Sequence, residues 1–237
     1  MPDAHPPEPL FDDGAPPGVS PGSVIASVRP SPKNPAKSLV KVGAKVVARV
    51  ATSRVGELGL ETGVPWTAEL AQRVEACAQA DLAASAAARA LGRRAKSRRK
   101  VDQDLRRKDF DENARAAALD RMEALGAIDD RALGESLVRQ ALNRKPAGPR
   151  YLQAKLQAAG LDRSLADELS RKAGESRSET GLEGARALVA VRLRGMRNLE
   201  MDVKRRRLYG MLARRGFDPD VIRQALSELA RPSDDDG

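Results

Sequence analysis

Arginine and lysine are the side chains in this sequence whose type and spacing could do chemistry. Nine basic and two acidic residues lie between Gly92 and Lys108, and ten basic and two acidic between Arg186 and Arg215. Arg144, Lys145 and Arg150 add three cations with no acidic residue between them. Such clusters suit phosphates or an acidic protein surface. The whole chain agrees, with 42 basic against 33 acidic residues and a net charge of +9 over 237 residues. Aromatic residues make up 3% of the chain, too few for a platform that stacks single-stranded bases.

Other chemistries find little footing. The one histidine, His5, sits in a Pro-rich start, so neither a Cys/His zinc site nor a histidine general base is expected in the folded part. The one cysteine, Cys77, permits no internal disulfide, as in a reducing cytosol, and lies in an Ala-rich helical run where it reads as a small apolar residue. Asp129-Asp130 reads as helix capping rather than a catalytic carboxylate pair. The glycines form no phosphate loop. No apolar run reaches the roughly 18 residues of a membrane span, and no secretion signal is read at the N-terminus.

The elements that must position the cations are mostly helices. Residues 1–37 hold most of the prolines and are expected to be a disordered tail. Residues 38–66 allow a short β-ribbon and linker, from Leu39, Val40, Val42, Val46, Val47 and Val50. From Thr67, a helix N-cap, to Ala230 the chain is rich in good helix formers. A seven-residue phrase recurs at Leu105–Asp111, Leu156–Asp162 and Leu212–Asp218, with Leu five residues before Phe or Leu and then Asp. Asp109, Gly160 and Gly216 occupy the turn position, where a left-handed residue ends a helix. Asp111, Asp162 and Asp218 are expected to cap the next helix. The frame predicts helical repeats at 67–126, 127–174 and 175–231, with an acidic tail at 232–237. In this frame Arg99, Arg150 and Arg206 coincide, as do Arg107-Lys108 and Arg214-Arg215. Trp66 is expected to be a hydrophobic plug, and Tyr151 and Tyr209 to be packing residues.

Arg94-Ala95-Lys96-Ser97-Arg98-Arg99, followed by Val101, Leu105, Lys108 and Phe110, resembles the first repeat of RecX regulatory proteins. Gly126–Asp130 with Leu133 and Leu137, then Lys145–Arg150, Leu152, Leu156 and Gly160-Leu161-Asp162, is similar to the second repeat. Gly216-Phe217 and Ile222 resemble the closing repeat. The likeness covers about residues 68–230, and its specificity lies in the order and spacing of the pieces. Asp109 departs from the expected Gly, and Leu133 and Leu137 stand where aromatics are common. Leu58–Gly63 resembles the segment after an N-terminal hairpin that some members carry.

The resemblance implies an all-α fold of three tandem, helix-turn-helix-like three-helix repeats in an elongated curved array. It implies a cytoplasmic, monomeric, non-enzymatic modulator of RecA that needs no cofactor and acts in recombination, repair and the SOS response. Its partners would be the RecA filament and single- and double-stranded DNA, with no membrane. Lying in the filament groove, it would suppress filament extension, ATP hydrolysis, strand exchange and LexA co-cleavage. The cations expected to contact DNA or RecA are Arg98, Arg99, Lys108, Arg144, Lys145, Arg150, Arg206, Arg207, Arg214 and Arg215. The alternative is a DNA-binding helical repeat protein, such as a transcription regulator, that acts without RecA.

Overall fold

The β-branched alternation around Val40 becomes an antiparallel meander of three strands, β1 (Ile25–Ser31), β2 (Asn34–Val42) and β3 (Lys45–Ala51), in the order β1-β2-β3. The computed structural model describes residues 22–176 and 181–227. Ile25, Val40, Val42 and Val50 face inward and pack with Leu60, Trp66, Leu70 and Val74. Trp66 is thus the plug its position suggested, although its buried indole N–H has no partner among the described residues.

The strand β1 corrects one expectation. It lies inside 1–37, the stretch expected to be disordered, and makes the ribbon a three-stranded sheet. Pro30 sits in an edge strand and Pro32 in the turn before β2, where a missing N–H breaks no interior ladder. The cover provided by Trp66 and the helix after it supplies the apolar burial that an isolated ribbon lacks. Residues 1–21 of that tail lie outside the described residues, as do 177–180 and 228–237 with the expected acidic end.

Helix α1 (Ala68–Leu91) starts where Thr67 Oγ1 accepts the Leu70 N–H at 3.1 Å. Its second half presents Ala83, Ala84, Ala86 and Ala87 to α2 (Arg98–Arg106) and α3 (Glu112–Ala124) around Val101, Leu105, Phe110 and Leu119. Small side chains there allow close helix approach. A second trio, α4 (Asp130–Arg144), α5 (Pro149–Ala158) and α6 (Arg163–Ser176), encloses Leu142, Leu152, Leu156, Leu161 and Leu169. A third, α7 (Leu182–Leu193), α8 (Met201–Arg214) and α9 (Pro219–Ser227), encloses Val189, Leu208, Leu212, Phe217 and Ile222. The chain is therefore mostly helical, built of three-helix domains behind a small sheet. By contacts it divides into two units, one up to Ala95 with Val101–Ile128, the other Lys96–Lys100 with the chain from Asp129 onward.

The recurring phrase is a Schellman turn followed by a cap. Phe110, Leu161 and Phe217 donate their N–H to Leu105, Leu156 and Leu212 at 3.4, 3.2 and 3.2 Å. Asp109, Gly160 and Gly216 donate to Arg106, Gln157 and Ala213 at 3.1, 2.9 and 2.9 Å. Both bonds satisfy carbonyls that a helix end would otherwise orphan. The turn residue has φ of 60° at Asp109, 88° at Gly160 and 74° at Gly216. The Leu and the Phe or Leu of each copy are buried together, which pins the repeat register. Asp111 then caps α3 by accepting the Ala114 N–H at 2.8 Å, and Asp162 accepts the Ser164 N–H at 2.8 Å. The third copy differs, because Asp218 forms an ion pair with Arg150 at 3.2 Å.

Within the second unit the turns are also docking points. Gly148, the N-cap of α5, donates its N–H to the Arg215 carbonyl at 2.8 Å. The equivalent residue 51 positions earlier, Ser97, donates its hydroxyl to the Ala159 carbonyl at 2.8 Å. Each contact sets the start of one helix on the residue just before the left-handed position of another turn. A Cβ at Gly216 would lie 2.1 Å from the Tyr151 nitrogen, so glycine is required there for space as well as for φ.

Candidate nucleic-acid interface

The site begins with the sequence of α8. Met201–Arg214 places Leu208 and Leu212 on the core side, and this turns Arg206, Arg207, Arg214 and Gly210 toward another face. On α7, Ala185 and Val189 are buried, which leaves Ala187, Leu188, Val191 and Arg192 facing the same space. The end of α4 contributes Arg144, and the following residues contribute Lys145 and Pro146. Together they line an open groove of about 1000 Å³ within the second unit.

Among the described residues, seven that line the groove are basic, namely Arg144, Lys145, Arg192, Arg206, Arg207, Arg214 and Arg215, and none is acidic. Except for Arg215, which is half-buried, these cations are exposed. The apolar part of the lining comes from Ala187, Leu188, Val191, Met196 and Met211. Arg215 lies over the Tyr151 ring, 5.4 Å from its centroid, an arrangement that fixes one guanidinium at the groove wall. Like charges gathered in one groove repel one another, and a polyanion laid along it relieves that repulsion. Among the described residues none that lines the groove is aromatic, so it offers charge to a phosphate backbone and no stacking surface to bases.

Six of the ten residues expected to bind thus meet in one place: Arg144, Lys145, Arg206, Arg207, Arg214 and Arg215. Arg150 belongs to the same unit, but its partner is Asp218. Arg98 and Arg99 open α2 in the segment Lys96–Lys100, where the Arg98 N–H donates to the Asp130 carboxylate at 2.9 Å. Lys108 is exposed at the end of α2 in the first unit. Arg192 is a groove residue that the sequence reading left out of its site set. Its signal was available, since Arg192 is four residues before Met196 and three after buried Val189, but α7 had no aligned cation to single it out.

The remaining candidates are structural. Asp129 caps α4 through the Ala132 N–H at 2.8 Å, while Asp130 caps the start of α2. Burial pushes the Cys77 thiol up from its ordinary value, away from the thiolate a nucleophile needs. Tyr209 is 42% exposed and is not the packing residue expected. Among the described residues no group of three or more His, Cys, Asp or Glu is arranged to hold a metal, and no helix is long and apolar enough to cross a membrane.

Two family models match the helical trios, the RecX second three-helix domain over residues 129–169 and the RecX third three-helix domain over residues 179–226. Regulatory protein RecX of Streptomyces coelicolor is 36% identical over 138 residues, covering 56% of this chain and 71% of that protein. Regulatory protein RecX of Chlorobium phaeobacteroides is 34% identical over 147 residues, covering 61% of this chain and 91% of that one. The chain belongs to the RecX family. A third RecX relative, from Mycolicibacterium vanbaalenii, is 31% identical over 176 residues and covers 70% of this chain and 93% of its own. The fold agrees with a crystal structure of regulatory protein RecX at TM-score 0.73 and 20% identity, covering 86% of this chain and 99% of that one. RecX from Lactobacillus salivarius superposes at TM-score 0.58 with 22% identity, over 64% of this chain and 97% of its own. Both RecX domain models fall within the second unit, and the groove is built from the same two trios.

Proposed function

We propose that this chain is a non-enzymatic, monomeric, cytoplasmic regulator of RecA that lies in the groove of the RecA–DNA filament. There it suppresses filament extension, ATP hydrolysis, strand exchange and LexA co-cleavage. The observation that carries the reading is the acid-free groove of seven cations, in a chain of the RecX family. The groove cations engage the phosphates of filament-bound DNA, with Arg98, Arg99, Lys108 and Arg150 as further contacts to DNA or to acidic RecA surface. Several weak contacts spread over successive protomers add up by effective concentration. A regulator seated across protomers hinders both monomer addition and the motions coupled to ATP turnover.

If all seven groove cations neutralise phosphates, log K against log salt falls with a slope of about −6 on duplex and about −5 on single strands. The experiment is RecA ATPase on single-stranded DNA with the protein added, beside an Arg206→Ala/Arg207→Ala/Arg214→Ala variant. Wild type should inhibit at a stoichiometry comparable to RecA, and the variant should need more protein for the same effect. Absence of inhibition by wild type overturns the proposal. If the protein still binds DNA but retains no RecA from nuclease-treated lysate, the RecA-independent DNA-binding protein is the correct reading.

A further inference from the structure

The sheet in the first unit carries a charge pattern that the groove does not explain. From Gly22 to Ser53 there is no Asp or Glu, and the cations Arg29, Lys33, Lys37, Lys41, Lys45 and Arg49 recur every four residues. An even spacing on strands returns to the same face. On β2 the buried residues are Ser38, Val40 and Val42, so Lys37, Leu39 and Lys41 lie on the opposite face. Register extends that face sideways, because Arg29 of β1 and Arg49 of β3 both pair with Leu39. Arg29, Lys37, Lys41 and Arg49 are all exposed.

We propose that the outer face of this sheet is a second binding surface for a nucleic-acid phosphate backbone, distinct from the helical groove. Lys37 and Lys41 stand about 13 Å apart along β2, and Arg29 and Arg49 about 10 Å apart across it. Four long cationic side chains thus surround the half-buried Leu39. A protein partner is the poorer fit. Interface centres are depleted in Lys and built on aromatic anchors, and none of the residues on this face is aromatic. A phosphate backbone needs only the charges. Lys37 and Arg49 also line the cleft between β3 and α1 that holds Glu75 and Asp81; Asp81 pairs with Arg121 at 3.0 Å, and among the described residues no ion pair joins either acid to the four cations.

The test is fluorescence anisotropy of the full chain on a labelled 30-base-pair duplex and the matching single strand, without RecA, over graded salt. The variant is Arg29→Ala/Lys37→Ala/Lys41→Ala/Arg49→Ala. A control, Arg139→Ala/Lys155→Ala/Arg163→Ala/Arg171→Ala, lowers the net charge equally elsewhere. The sheet variant should lose roughly tenfold or more in affinity at low salt, with the duplex salt slope shallower by about 3 to 4. The control should change both far less, and circular dichroism should show all three proteins folded. An unchanged slope in the folded sheet variant, an equal loss in the control, or no binding by wild type overturns the proposal. Unchanged DNA binding with loss of RecA inhibition would also overturn it, and would assign the face to a protein. Because RecA is absent from the binding assay, a failed sheet surface and a failed RecA reading give different results.

Discussion

Replacing Gly216 by Ala should separate the two demands made on that residue. The left-handed φ of 74° costs a side chain about 1–2 kcal/mol. The new Cβ would stand 2.1 Å from the Tyr151 nitrogen and 2.9 Å from its Cα, so α5 must move away from the turn. Such overpacking costs about 1–3 kcal/mol. Displacing α5 also loses the bond from the Gly148 N–H to Arg215, worth about 0.5–1.5 kcal/mol. A stiffer unfolded chain returns about 0.4–1 kcal/mol, which leaves a net loss of about 2–6 kcal/mol. Gly126 ends α3 in the same kind of turn with φ of 67°, but nothing lies within 4 Å of its would-be Cβ. Gly126→Ala should therefore cost only about 1 kcal/mol. Gly148→Ala provides the converse, since its φ is ordinary and its Cβ would meet the Gly216 oxygen at 2.1 Å. Because Gly148 and Gly216 hold one joint, the double variant should cost clearly less than the sum of the singles. Urea unfolding of the four variants followed by circular dichroism measures these differences. Equal losses for Gly126→Ala and Gly216→Ala, or strict additivity of Gly148→Ala and Gly216→Ala, would refute the joint.

Two further outcomes follow from the same turns. Asp109 holds φ of 60° where the other copies have Gly, so Asp109→Gly should relieve strain while loosening the unfolded chain. The balance is a gain of up to about 1 kcal/mol, read as a raised urea midpoint, and a lowered midpoint would contradict it. Hydrogen bonds from the Ser164 hydroxyl and N–H hold the Asp162 carboxyl below its ordinary range. A depressed folded pKa stabilises above the unfolded value, and that stability is lost as pH falls through the folded one. Ser164→Ala should thus be less stable than wild type at pH 7, with the gap closing as the carboxyl becomes protonated in acid, whereas a pH-independent gap in melting temperature would exclude this role.

Much of the helical part was legible because its signals are local. A Schellman turn and its capping Asp involve seven consecutive residues, so Leu156 through Asp162 carries its own instructions. Thr67 before α1 and the buried pairs Leu105–Phe110 and Leu212–Phe217 are legible for the same reason. Family resemblance was legible in the order of such pieces. Strand β1 was not, because Pro30 and Pro32 look like disorder until a neighbouring strand shows which edge lacks an N–H and Trp66 shows what covers the face.

The sequence by itself determined the repeat register, the charge excess and the absence of a histidine outside the N-terminal stretch. Each of these depends only on residue types and their separations along the chain. Tertiary structure alone decided which cations act together. Arg150 and Arg206 are equivalent in the repeat frame, yet Asp218 takes one into an ion pair while α7 and the end of α4 draw the other into a groove. It also added Arg192 to that groove and gathered Arg29, Lys37, Lys41 and Arg49 on one sheet face. Charge acts through space, and the neighbours that neutralise or reinforce it are brought by packing from distant parts of the chain.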